Sequence, residues 1–282
     1  MMPSDSPRAR FAAQVGRPDA EIDLIEAALL IAAEHDADVD LAACRAELDA
    51  LVQRARTALL APQPDAGQLC WFVAQAEGFR GNARDYYNPD NSYLDRVLAT
   101  RSGIPISLAL IYLRVAEALG LDAAGVGFPG HFLVRIALPG SADGELIDPF
   151  TGRTLSRDDC RALLQTGTRG AVEFSDQLLQ PARKREILQR MLRNLKMIYL
   201  QREDFGESLS LCDRLLLLDA DSLQEVMDRA LILEKLECFG PAADELERLA
   251  ARSELTARPE AAASIRSKIE QLRGRGGGRT VH

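Results

Sequence analysis

Gly103-Ile104-Pro105-Ile106-Ser107-Leu108-Ala109-Leu110-Ile111-Tyr112-Leu113-Arg114-Val115-Ala116-Glu117-Ala118-Leu119-Gly120 is the stretch on which the fold turns. Ile106–Leu119 is apolar on nearly every face, with Arg114 and Glu117 its only charges, and Gly120 follows as a C-cap residue. A helix of that kind belongs in the middle of a core. Immediately downstream the hydrophobic period changes from helical to alternating. Ala123–Phe128 and His131–Leu138 read as strands joined by the turn pair Pro129-Gly130, and Gly144–Ile147 reads as a third strand ended by Asp148-Pro149. Ser156 is placed to cap a helix through Leu164, with Asp159 three residues on in the capping-box position. The middle of the chain is therefore α+β, several helices feeding a small antiparallel sheet.

Upstream, Ile22, Ile25, Leu29 and Ala33 form one helical stripe and Leu41, Cys44, Leu48, Leu51 and Ala55 a second, separated by the acidic stretch His35–Asp40. Pro62, Pro64 and Gly67 break the chain before a further apolar helix, Leu69–Ala76. A Gly-, Asn- and Asp-rich loop, Gly78–Asn91, carries Tyr86-Tyr87, and a short helix around Tyr93, Val97 and Leu98 takes Asn91 or Ser92 as its N-cap. From Pro181 onward all is helical, and Phe205-Gly206 recurs as Phe239-Gly240 at an offset of 34 residues. Met197 and Leu231, Ile198 and Ile232, Cys212 and Leu246, and Leu215 and Leu249 keep the same offset, and Glu203-Asp204 recurs as Glu237-Cys238. A 34-residue helix–turn–helix period is that of the tetratricopeptide repeat. Small residues for the packed helix pair are Ser208, Ala230, Ala242 and Ala243, and each Phe is placed to plug the space between helix pairs. The organisation that follows is a disordered N-terminus over 1–18, an α+β domain with N-terminal helices over 19–180, tetratricopeptide-like helices over 181–272, and a disordered Gly/Arg-rich tail over 273–282.

The chain of 282 residues is 47% hydrophobic and 27% charged, an ordinary globular composition with room for two modest cores. Its 34 basic and 42 acidic residues leave a formal charge of −8, which argues against general nucleic-acid binding. Arg183, Lys184, Arg185, Arg190, Arg193 and Lys196 make one local basic cluster, but their spacing winds around a helix and reads as a solvated surface. Five scattered cysteines without a CxxC pair point to reduced thiols and a cytoplasmic protein. The three histidines have no Cys or His partner at ligand spacing, so no metal and no other cofactor is expected. The N-terminal residues 1–10 hold no apolar core of signal-peptide length, and no apolar stretch in the chain reaches membrane-spanning length.

Three polar positions stand out in the apolar middle: Ser107 at the start of the buried helix, His131 after Pro-Gly, and Asp148 in Ile-Asp-Pro-Phe. A nucleophile at a helix N-terminus, a histidine on an adjacent strand and a carboxylate on the next strand form the logic of acyl transfer. Antiparallel pairing through the Ser141–Gly144 turn predicts a hydrogen bond between His131 and Asp148. Each residue also has a plain reading: His131 as a turn residue, Asp148 as a strand terminator, Ser107 as a cap for backbone groups.

Gly78-Phe79-Arg80-Gly81-Asn82, Tyr86-Tyr87-Asn88-Pro89, Asn91-Ser92-Tyr93-Leu94, Gly103–Leu108, Gly127–Phe132 and Ile147–Phe150 together resemble the SirB-type bacterial family of transglutaminase-like proteins, over about residues 20 to 270. The resemblance implies a papain-like core with His131 and Asp148 in the places of the transglutaminase histidine and aspartate, followed by tetratricopeptide-like helices. It also implies a cysteine near Pro105 to Ser107, and this chain has none there. If Pro105 holds that place there is no nucleophile; if Ser107 does, the nucleophile is a hydroxyl that depends wholly on His131. Cys70 and Cys160 lie outside that helix and read as structural, a route through Cys70 requiring that it reach the same pocket. Two functions follow. One is a pseudoenzyme, a regulator that binds a protein or peptide through the repeat helices and a degenerate pocket whose candidate lining is Asn91, Tyr93, Pro105 and Phe132. The other is a Ser–His–Asp hydrolase or transferase using Ser107, His131 and Asp148.

Overall fold

The computed structural model describes residues 5–61, 64–137, 144–251 and 259–277. The predicted Ser141–Gly144 turn lies almost wholly outside them. Contacts divide the chain into two compact units, 1–191 and 192–282, later than the division at 180/181 read from the sequence.

The first unit begins with helix α1, Pro7–Val15, where disorder is expected over 1–18. Ser6 caps it through the Ala9 N–H, and Phe11 and Val15, four apart on one face, are buried. Arg8 and Arg10 then reach Glu34 and Glu26 at 2.6 Å each. Helix α2, Leu24–His35, buries every residue from Ala27 to Ala33, and α3 spans Leu41–Ala58. Asp23 and Asp40 cap the two through their side chains. Helix α4, Ala66–Cys70, runs into a π-helical turn over Trp71–Ala76 in place of a plain α-helix. Helix α5 is Leu94–Thr100 with Tyr93, not Asn91 or Ser92, at its N-cap; those two belong to a preceding 3₁₀ turn and its end.

Helix α6, Pro105–Ala118, is the core helix, with Pro105 in the first turn where no N–H is needed. It packs against strands β3, Ala123–Val126, and β4, Leu133–Ile136. Strands β5, Glu145–Asp148, and β6, Arg153–Leu155, complete an antiparallel sheet of order β3-β4-β5-β6. A second, two-residue parallel ladder joins β1, Arg80–Gly81, to β2, Ser102–Gly103. Helix α7, Arg157–Thr168, starts at the expected Ser156–Asp159 capping box and runs one turn past Leu164. Strand β4 is shorter than the predicted His131–Leu138: His131 sits in the bend before it, and Leu138 lies outside the described residues.

Helix α8 spans Lys184–Gln201, and the division between the units falls inside it. The second unit continues with α9, Phe205–Leu218, α10, Leu223–Lys235, α11, Phe239–Ala250, and α12, Pro259–Gly277. The 34-residue offset is a backbone repeat. Glu203 and Glu237 both take left-handed φ, 57° and 58°, and Asp204 N–H to Tyr199 O recurs as Cys238 N–H to Leu233 O, each at 2.9 Å. Ser208, Ala230, Ala242 and Ala243 are buried as expected, but Phe205 and Phe239 are only half-buried and plug nothing completely. The tail expected to be disordered from 273 is helical through 277, where Arg273 meets Asp244 at 2.5 Å and Arg275 lies over the Phe239 ring at 4.2 Å.

Candidate functional site

The chain Phe128-Pro129-Gly130-His131 closes on itself, His131 N–H donating to Phe128 O at 3.0 Å with Gly130 at φ 72°. Pro at the second and a positive-φ Gly at the third position suit such a turn. Two outside elements hold it. Gly167 of α7 sits where a side chain on Gly130 would lie, about 3.2 Å from that position. Arg190 of α8 donates to Phe128 O at 3.0 Å and to His131 O at 2.6 Å, while stacking over Phe132 at 5.6 Å. Burial lowers the Arg190 pKa from its usual value, and the nearby Tyr86 raises it only in part.

Asp148 ends β5 facing that turn. His131 Nε2 lies 2.7 Å from Asp148 Oδ1, with the side chains 13% and 6% exposed. The same carboxylate accepts from Phe150 N–H at 2.9 Å and from Thr151 Oγ1 at 2.7 Å. Burial would push the Asp148 carboxyl up, but His131, Thr151 and Phe150 together hold it below the usual range. An ionised carboxylate only accepts, so Nε2 carries a proton and a neutral His131 keeps its lone pair on Nδ1. Phe150 stands edge-on to His131 at 6.4 Å and meets Tyr86 at 5.9 Å, and Tyr87 projects beside them, 65% exposed. Phe150 can lie there because Gly81 is under its ring: a Cβ on Gly81 would come within 2.3 Å of it.

Ser107 belongs to a different network. It is 0% exposed, its hydroxyl lies 2.5 Å from Asn91 O and 3.1 Å from Ile104 O, and it accepts from Ile104 N–H at 3.1 Å. One hydroxyl proton is thus committed to backbone carbonyls, and Ser107 is not hydrogen-bonded to His131 as a Ser–His–Asp triad requires. The competing bond wins because helix α6 starts at Pro105 with Ile104, a residue without a capping side chain, at its N-cap. Asn91, whose backbone Ser107 holds, turns its own amide to Asp85 O at 2.6 Å and Tyr86 O at 3.2 Å and accepts from Asn82 at 3.0 Å. Asn91, Tyr93, Pro105 and Phe132 are all buried. Tyr93, for its part, stacks on His35 at 4.5 Å.

Cys70, at the end of α4, is buried, and its thiol is pushed up to about 12, first by burial and then by the charge of Asp148. Such a thiol is protonated at neutral pH and is not an activated nucleophile. Cys160 is buried likewise, its thiol raised to about 11. Among the described residues no group of His, Cys, Asp and Glu is arranged to hold a metal ion.

The basic cluster is largely engaged, not solvated. Lys184 donates to Ala20 O and Ile22 O, Arg185 to Arg17 O, and Lys196 is buried between Glu225 at 2.5 Å and Asp228 at 2.6 Å. Spacing along a helix reports which side chains share a face, but not which carbonyl or carboxylate another segment brings to it. Arg190 was hidden by this, since its partners are backbone oxygens about sixty residues away. Thr151, three residues after Asp148, is the more legible partner, because a hydroxyl at that spacing can turn back to the carboxylate.

Residues 42–193, over half of the chain, match the family model described as transglutaminase-like superfamily, and residues 195–271 match that of the tetratricopeptide repeat. A UPF0162 protein of Xylella fastidiosa is 38% identical over 63% of this chain and 64% of its own length. One of Pseudomonas aeruginosa is 34% identical over 80% of this chain and 83% of its own. Protein SirB1 of Salmonella typhimurium is 31% identical over 57% of this chain and 60% of its own length. The chain thus spans less than two thirds of the length of the Xylella relative.

Proposed function

Since the chain belongs to the SirB-type family within the transglutaminase-like superfamily and continues into tetratricopeptide repeats, we propose that it is a non-catalytic, cytoplasmic regulatory module that binds protein or peptide segments. The observation that carries this reading is Ser107: the only hydroxyl at the start of α6 is buried and bonded to Asn91 O. An acyl-transfer site needs a nucleophile within reach of its base. The buried Cys70 thiol, held near 12, does not replace it. The His131–Asp148 pair then serves as a polar floor beside the Tyr86, Tyr87 and Phe150 rings, where Nδ1 can accept a hydrogen bond from a bound segment. Repeat helices add the surface on which such proteins take peptides. Among the described residues no helix is long and apolar enough to cross a membrane.

The test is chemical. The purified protein is incubated with a primary-amine probe and glutamine-containing peptides, and separately with a serine-directed phosphonate. No covalent labelling is expected. Labelling that is lost in His131→Ala, and in Ser107→Ala or Cys70→Ala, overturns the non-catalytic reading and assigns the nucleophile.

A further inference from the structure

A second concavity lies in the first unit, away from His131. It is bounded by the start of α2, by α3, by the C-terminal half of α6, by β3 and by the first turn of α8, and encloses about 690 Å³. That volume falls within the range of about 300–1,000 Å³ that holds a compact ligand or a few side chains. Ile25, Leu48, Leu110, Leu113, Leu121 and Ile187 supply apolar wall.

Its charge is one-sided. Six carboxylates, Glu21, Asp23, Glu26, Asp49, Glu117 and Asp122, line it against three cations, Arg45, Arg114 and Lys184. The cations are already engaged: Arg45 with Glu26 at 2.7 Å, Arg114 with Asp49 at 3.1 Å, and Lys184 with the Ala20 and Ile22 carbonyls. Glu21, Asp23 and Asp122 are exposed at the rim, and their negative charge is left for an incoming cation.

The groove also offers backbone. β3 is the edge of its sheet. Asp122 O accepts from Ala137 N–H on the β4 side, whereas Gly125 O accepts from Ala182 N–H on the opposite side. By the two-residue period of a strand, Ala123 turns its N–H and C=O to that outer side, which is the groove. The protein's own Pro181-Ala182 already pairs with the far end of this edge at Val126 and Gly125.

We propose that this groove docks a short extended segment of a partner protein in which basic and aliphatic residues alternate. Its backbone continues the pairing begun by Pro181-Ala182 along Ala123, its aliphatic side chains enter the apolar wall, and its lysines or arginines face Glu21, Asp23 and Asp122. This inference is independent of whether His131 works as a binding or a catalytic residue.

Fluorescence anisotropy with the full chain and a fluorescein-labelled Lys-Val-Lys-Val-Lys-Val peptide tests it. Saturable binding is expected, weakened roughly tenfold or more in the double variant Glu21→Lys/Asp122→Lys. The Glu-Val-Glu-Val-Glu-Val peptide should bind only that variant, and N-methylation of a central valine should weaken binding. Circular dichroism confirms that the variant is folded; if it is not, Glu21→Gln/Asp122→Asn replaces it with the same expected direction. Equal affinity of the folded variant, equal binding of the methylated peptide, displacement by spermine as effective as by unlabelled peptide, or absence of saturable binding would each overturn the proposal.

Discussion

Arg190 donates its Nη2 hydrogen to the carbonyl oxygen of His131 at 2.6 Å, and through that bond helix α8 grips the turn that presents the imidazole. A second bond, from Nη1 to Phe128 O, closes the grip on the other end of the same turn. Replacing Arg190 by Met should cost about 1.5–3 kcal/mol, as loss of hydrogen bonds to a charged, part-buried donor does. Arg190→Lys should recover only part of it, because an ammonium cannot span two carbonyls in a planar fork. Urea unfolding gives the stability, and nitrogen NMR of His131 reports whether Nε2 still bonds Asp148. An unchanged melt with unchanged His131 resonances would refute the grip.

Asp148 makes stability depend on acid. Its folded pKa is held below the unfolded value of about 3.9, so the folded state binds fewer protons there. The contribution is fully present above that value and is lost as pH falls from about 4 through the folded pKa. Asp148→Asn should remove this part of the pH dependence, so that the gap between parent and variant narrows as pH falls through the folded pKa of Asp148. Denaturant midpoints between pH 7 and 2.5 measure it, and parallel curves would contradict it.

Ser107→Ala should behave as a structural lesion. It removes one partner of Asn91 O and one of Ile104 N–H inside the core, which keep each other at 3.2 Å, at a cost of about 0.5–1.5 kcal/mol. Because Asn91 anchors Asp85 and Tyr86, faster hydrogen exchange over 82–91 should accompany it. Full stability with protected amides would return Ser107 to the list of residues with no structural duty.

Thiol chemistry should sort the cysteines by burial. Cys238 is exposed and should react with an aromatic disulfide reagent first at pH 8, followed by the half-buried Cys44. Cys70 and Cys212, each pushed up to about 12, and Cys160 at about 11, should react only on unfolding. Prompt modification of Cys70 in the native protein would reopen it as a nucleophile.

In the repeat, Phe205→Ala should cost about 1–2 kcal/mol, less than the 3–5 typical of a fully buried ring, since the side chain is half-buried. Glu203→Gly should instead stabilise by roughly 0.5–1 kcal/mol, because φ 57° is strained for a residue with a Cβ. Thermal denaturation of both variants checks the signs.

What the sequence by itself determined is what neighbours along the chain encode. The apolar run Ile106–Leu119, the Pro129-Gly130 turn, the Ser156–Asp159 capping box and the 34-residue offset each act within one element or between adjacent ones, and each is found where local pattern puts it. The His131–Asp148 bond is legible only in part: neighbouring strands β4 and β5 bring the two segments together, but His131 reaches Asp148 from the turn before β4 and not from the strand. Tertiary structure alone decided the rest. Ser107 could serve a histidine or a backbone carbonyl, and the approach of Asn91, sixteen residues earlier, settled it. Arg190 looked like one charge among six, until folding brought the Phe128 and His131 carbonyls to it. Phe11 and Val15 looked like part of a loose terminus, until α2 offered a face to bury them. A hydrogen-bonding or apolar group states in sequence what it can do, but which of several distant partners satisfies it depends on the packing that excludes water from all the others.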